Sequence, residues 1–145
     1  MKAQKIIFIT LFFFVFSMVR ANYQQDLERS IYDVRKVFFL QILEEGKYNE
    51  LQSNLSMCQR QEIQDFIIGR RNFREGILFN AIMKEDRTAI LICLAFLAIY
   101  DDLDILANKK NALGSTLLDI AKQRSIQETG SVARILDASL FPHTP

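Results

Sequence analysis

The sequence predicts an all-α fold, and three observations carry that expectation. Both prolines, Pro142 and Pro145, stand in the last four residues, so nothing between 22 and 141 breaks a helix by removing a backbone N–H. Apolar residues recur at three- and four-residue spacing along the chain, the period of one helix face. No run of alternating β-branched residues and no Asn-Gly or Asp-Gly hairpin is present. At 145 residues the chain has room for one domain and not for two comfortable ones.

Residues 1–21 read as a secretory signal peptide. Lys2 and Lys5 open it with positive charge, and Ile6 to Phe16 are eleven residues with only Thr10 polar. Val19-Arg20-Ala21 then offers the modest side chains that a signal peptidase binds. Continued to Val19, the apolar stretch is 14 residues, against roughly 20 needed to span a hydrocarbon core. Cleavage after Ala21, giving a secreted or periplasmic protein, is the expectation. The alternative is an uncleaved anchor, which Arg20 beside the cleavage site favours. The whole chain has 18 bases, 17 acids and a net charge of +1. Without residues 1–21 it has 15 bases, 17 acids and a charge of −2.

Beyond the signal, Leu27, Ile31, Val34, Phe38 and Ile42 draw one stripe along a helix over 24–45. Gly46 follows, where a left-handed cap needs a residue without a side chain. Ile63, Phe66 and Ile67 mark a second face on 58–68, closed by Gly69, with a helix or ordered loop at 47–55. Residues 22–70 thus form an N-terminal helical region, either a divergent repeat or a cap. From 71 to 140 the elements are shorter and more regular, with helices at 77–84, 87–100, 116–124 and 131–140. Asp86 is placed to cap the second of these. That helix is apolar nearly all round, which predicts burial between neighbours. Asp101 to Leu113 is a polar connection, and 141–145 is a tail.

The pattern of short helix, tight turn, apolar helix and long connection occurs twice from residue 76 onward. Leu78-Phe79-Asn80-Ala81 aligns with Leu118-Asp119-Ile120-Ala121 at a spacing of 40, the internal period of stacked helical repeats. The second copy reads Asp104-Ile105, then Asn111 through Gly114-Ser115-Thr116-Leu117-Leu118-Asp119-Ile120-Ala121, then Val132, Ala133, Ile135 and Leu136. In these residues the chain resembles the ankyrin-repeat family. The resemblance covers 76–140 and implies a short α-solenoid of stacked helix pairs with an N-terminal helical cap. Asn111, Gly114, Thr116, Leu118 and Ala121 are its structural motif. Gly114 permits a turn with positive φ, while Thr116 and Asp119 can cap each other's backbone. The chain departs from the family at Leu117, where proline is usual, at Asp119, where histidine is usual, and at Gly76, where threonine is usual. Ser125 to Gly130 adds about three residues between the paired helices.

Chemistry finds little to hold in this composition. His143 is the sole histidine and lies between prolines in the tail. Cys93 sits in the apolar run Ala89 to Ile99, where a cysteine is a small core hydrophobe, so two separate thiols, Cys58 and Cys93, are expected rather than a disulfide. No phosphate loop, nucleophile elbow or metal-ligand spacing is present. Asp101, Asp102 and Asp104 cluster, yet calcium loops need more ligands at set spacing, so a solvated acidic loop is expected. Arg70, Arg71 and Arg74 flank Phe73, but a charge of −2 supplies no supporting field for nucleic acid. Asn54-Leu55-Ser56 fits the N-glycosylation triplet, which matters only in a eukaryotic secretory pathway.

These readings converge on an exported, non-catalytic protein–protein interaction scaffold. It needs no cofactor or metal, its partner is a protein, and a membrane enters only through an uncleaved signal. Asp101, Asp102, Asp104, Lys109 and Lys110 form the candidate partner-binding loop, because loops of that kind carry the contacts in the resembled family. The alternative is a membrane-anchored or envelope-structural helical protein without a dedicated partner.

Overall fold

The computed structural model describes residues 2–124 and 131–141. His143 and the Ser125–Gly130 connection lie outside them. Among the described residues there are eight α-helices and no strand, as the absence of proline and the helical spacing predict. They are α1 Lys2–Glu44, α2 Tyr48–Ser56, α3 Arg60–Ile67, α4 Ile77–Met83, α5 Arg87–Ile99, α6 Leu103–Asn108, α7 Leu117–Arg124 and α8 Ser131–Leu140. A 3-10 turn, Phe73–Glu75, precedes α4.

The chain divides into two compact units, Met1–Val37 and Phe38–Pro145. The first is one helical stretch, because no glycine or proline interrupts the sequence before Gly46. Its apolar stripe does not pack as the spacing predicts. Leu27, Ile31 and Val34 are 48%, 49% and 70% exposed, because a unit made of one helix holds no second element to cover them.

The second unit holds the core, and α1, α4 and α5 are ended by one recurring turn. The N–H of Gly46 donates to Leu43 and that of Lys47 to Ile42, closing α1 with a pair of reversed bonds. The same pair closes α4, from Glu85 to Ile82 and from Asp86 to Ala81, and closes α5, from Asp101 to Ala98 and from Asp102 to Leu97. The residue at the bend has φ of 68°, 57° and 58° in the three cases. Asp86 then caps α5, accepting from Ala89 N–H at 3.2 Å, as its position in the sequence predicts. The glycine before α4 has a steric cause. A Cβ on Gly76 would run into the carbonyl groups of Ile67 and Ile68.

Buried positions recur with these turns. Phe39, Leu78 and Leu118 are buried in α1, α4 and α7, and so are Ile42, Ala81 and Ala121. Leu51, Ile90 and Val132 repeat the pattern in α2, α5 and α8, as do Leu55, Leu94 and Leu136. Positions 39 and 42 carry larger side chains, Phe and Ile, than the Leu and Ala of α4 and α7.

Two expectations differ. The 101–113 connection is not loop throughout, since α6 forms there around buried Leu106. α5 is not enclosed on all sides either. Leu91 and Ile99 are 53% and 70% exposed, so one edge of that helix faces solvent.

Candidate functional site

The five residues of the candidate partner loop separate into three environments. Asp101 and Asp104 are exposed. Lys110 is exposed as well, while Lys109 is half-buried, with its Nζ donating to the Gly69 carbonyl at 2.8 Å. Asp102 turns inward, and here the expectation of a solvated acidic loop is corrected. It is 1% exposed, and among the described residues it is the buried charged side chain.

Asp102 is held by α3, about 40 positions earlier in the chain. Arg60 Nη2 donates to its Oδ1 at 2.7 Å and Arg60 Nε to its Oδ2 at 3.3 Å, while Gln64 Nε2 donates to Oδ2 at 2.8 Å. Residues 60 and 64 lie one helical turn apart, so both reach one carboxylate. The hydrogen bonds from Arg60 hold the Asp102 carboxyl below its usual range, against the opposing effect of burial. A buried carboxylate is tolerated only with such partners. Its physical role is therefore to tie α6 to α3. The triplet Asp101, Asp102 and Asp104 does not converge on one point, since its middle member faces the core.

Asn111, Gly114, Thr116, Leu118 and Ala121 do what their types allow. Thr116 N–H donates to Asp119 Oδ2 at 2.9 Å, and Asp119 N–H donates to Thr116 Oγ1 at 3.2 Å, a reciprocal cap at the start of α7. Those bonds from Thr116 hold the Asp119 carboxyl below its usual range. Gly114 has φ 79°, and Asn111 Oδ1 accepts from the N–H groups of Leu113 and Ser115. Leu118 and Ala121 face the core.

Around this turn the structure assembles a surface that the sequence reading did not join. Arg71, Asn72, Phe73 and Arg74 face Lys110, Asn111, Ala112 and Leu113 across an open cleft of about 380 Å³. Asn72 Oδ1 accepts from Arg74 N–H at 2.9 Å, so the first loop is fixed by its own side chain as Asn111 fixes the second. The signal was present in the spacing. Residues 71 and 110 stand 39 positions apart, close to the spacing of 40 at which Leu78 and Leu118 align.

The remaining sequence candidates stay structural. Burial pushes the Cys93 thiol up to about 12, which leaves it protonated and unreactive. Cys58 Sγ donates to the Asn54 carbonyl at 3.3 Å. Asn54 lies within α2 with Nδ2 donating to the Glu50 carbonyl, and Leu55 beside it is fully buried. No group of three or more His, Cys, Asp or Glu that could hold a metal ion occurs among the described residues. Comparison of the chain with protein-family models, with curated proteins and with solved structures gives no match.

Proposed function

We propose that this chain is an exported, non-catalytic scaffold whose stacked, ankyrin-like helical repeats present loops to a protein partner. One observation carries the reading. Five long-range side-chain pairs among the described residues of the second unit span similar sequence separations. Tyr48 donates to Asp86, Gln64 and Arg60 to Asp102, Lys109 to Gly69 and Arg124 to Met83, at separations of 38, 38, 42, 40 and 41 residues. A chain whose elements meet their counterparts about 40 positions away is built as nearest-neighbour repeats. In such a stack the helices supply rigidity and the loops meet the partner. The exposed loop residues Asp101, Asp104 and Lys110 belong to that contact surface, and Asp102 and Lys109 brace it from behind.

A second reading is favoured by a separate observation. α1 is long and apolar enough to cross a membrane, with a mean hydropathy of 1.8 in an 18-residue window. Retained, it would make the protein a membrane-anchored helical component. Purification from the native host followed by intact-mass measurement and affinity capture tests both readings. Loss of residues 1–21 together with capture of a defined protein supports the scaffold. A full-length mass, membrane association that resists alkaline carbonate and no captured protein supports the anchor.

A further inference from the structure

We propose that the cleft between the 71–74 and 110–113 loops seats an acidic segment of a partner protein, with Arg71, Arg74 and Lys110 taking its carboxylates. This deepens the scaffold reading and rests on it, by naming the chemistry that the loop surface recognises.

Charge is the first argument. The cleft is lined by three cations and no acid, although the chain as a whole is nearly balanced. All three side chains are exposed. Like charges gathered around one concavity raise the potential there and draw in an anion. Arginine is suited to the task, because its planar fork matches a carboxylate with two parallel bonds.

Preorganisation is the second. Asn72 Oδ1 holds the Arg74 N–H, and Asn111 Oδ1 holds those of Leu113 and Ser115. Lys109 Nζ reaches back to the Gly69 carbonyl at 2.8 Å, linking the two loop segments directly. Lys110 pairs across its own turn with Thr116. The backbone that carries the three cations is therefore set before any partner arrives, and binding costs little loop ordering.

Apolar surface separates a protein segment from other anions. Leu113 is 87% exposed at the rim of the cleft, and Ala112 beside it is exposed too. A peptide alternating acidic and aliphatic residues satisfies both the cations and this rim. A nucleic acid would need a basic track extending beyond three residues, which the chain's overall charge does not supply.

The test uses the full chain in mild detergent and a fluorescein-labelled peptide of four Glu-Asp-Leu repeats, read by fluorescence anisotropy. Saturable binding is expected, weakened at least about tenfold by the triple variant R71E/R74E/K110E. The variant K84E/R87E/K122E changes the net charge equally at exposed positions outside the cleft, and it should bind as wild type does. Thermal melts by circular dichroism check that both fold. If the reversal variant does not, R71Q/R74Q/K110Q replaces it, with a loss of at least about fivefold expected. Equal binding by wild type and the cleft variants overturns the proposal. So does equal binding of a Gln-Asn-Leu peptide, or binding to phosphatidylserine vesicles without binding to the peptide. The scaffold reading is scored separately by capture from the native host, since a partner retained by R71E/R74E/K110E keeps the scaffold and removes the cleft.

Discussion

Asp102 shows how one residue in a charged run can differ from its neighbours. Asp101 and Asp104 are solvated, whereas Asp102 is 1% exposed and fixed by Arg60 and Gln64. Its carboxyl titrates below the usual range because Arg60 donates to it. The sign of the linkage follows. A group whose folded pKa is depressed contributes stability that is complete above its unfolded value, about 3.9, and is lost as pH falls through the folded one. Urea unfolding of wild type and Asp102→Asn from pH 7 down to pH 2.5 should show wild type clearly more stable near neutrality. The gap should begin to narrow as pH falls below about 4 and keep shrinking toward pH 2.5. A gap of the same size at both ends would mean that the ionised carboxylate contributes nothing. Charge reversal separates Asp104 from Asp102 equally well. Asp104→Lys should leave the melting temperature nearly unchanged, as surface substitutions do, while Asp102→Lys should lower it markedly.

At the scale of elements, the turn that opens α7 makes the sharpest forecast. Gly114 has φ 79° with nothing within 4 Å of where a Cβ would sit, so a side chain there meets strained backbone and no clash. Gly114→Val should cost more than about 1 kcal/mol, and Thr116→Ala about 1 kcal/mol through the lost cap. Melts in which neither variant moves would show that this turn does not support the fold. The turn also shows what the sequence made legible. Gly114, Thr116 and Asp119 declared their roles, because positive φ and helix capping are local demands that few residue types meet. The positions of α4, α5, α7 and α8 were legible for the same reason, through spacing and caps. The stripe Leu27, Ile31 and Val34 promised a buried face, yet periodicity says only that a face exists and not what covers it. Asp102 and the cleft were hidden by a different cause. Arg60 lies 42 positions from Asp102, and Arg71 lies 39 from Lys110, so their meeting depends on how distant helices and loops pack together rather than on any local pattern.

For the whole molecule, the proposed repeat stack and the single-helix first unit should differ in how they open. In a stack each copy is stabilised by its neighbours, so central elements open last and terminal ones fray. α4 and α5 carry the most completely buried side chains, among them Leu78, Ile90 and Leu97, and α4 contacts both α3 and α7. α7 and α8 end the described stack. The stretch Lys2–Val37 has apolar side chains that face outward and no second element in its unit, and an unpacked helix is marginal in water. Hydrogen exchange on the full chain in detergent should therefore rank amides in a fixed order. Those of α4 and α5 should exchange slowest, those of α7 and α8 faster, and those of residues 22–37 fastest. Residues 6–19 are apolar enough to enter the micelle, and their amides should be protected there whatever the rest of the helix does. Protection of 22–37 equal to that of α4 would defeat this ranking, because it would mean that the outward stripe Leu27, Ile31 and Val34 is covered in solution. Uniform exchange across α2 to α8 would count against the stack itself, since a chain of nearest-neighbour repeats loosens from its ends inward.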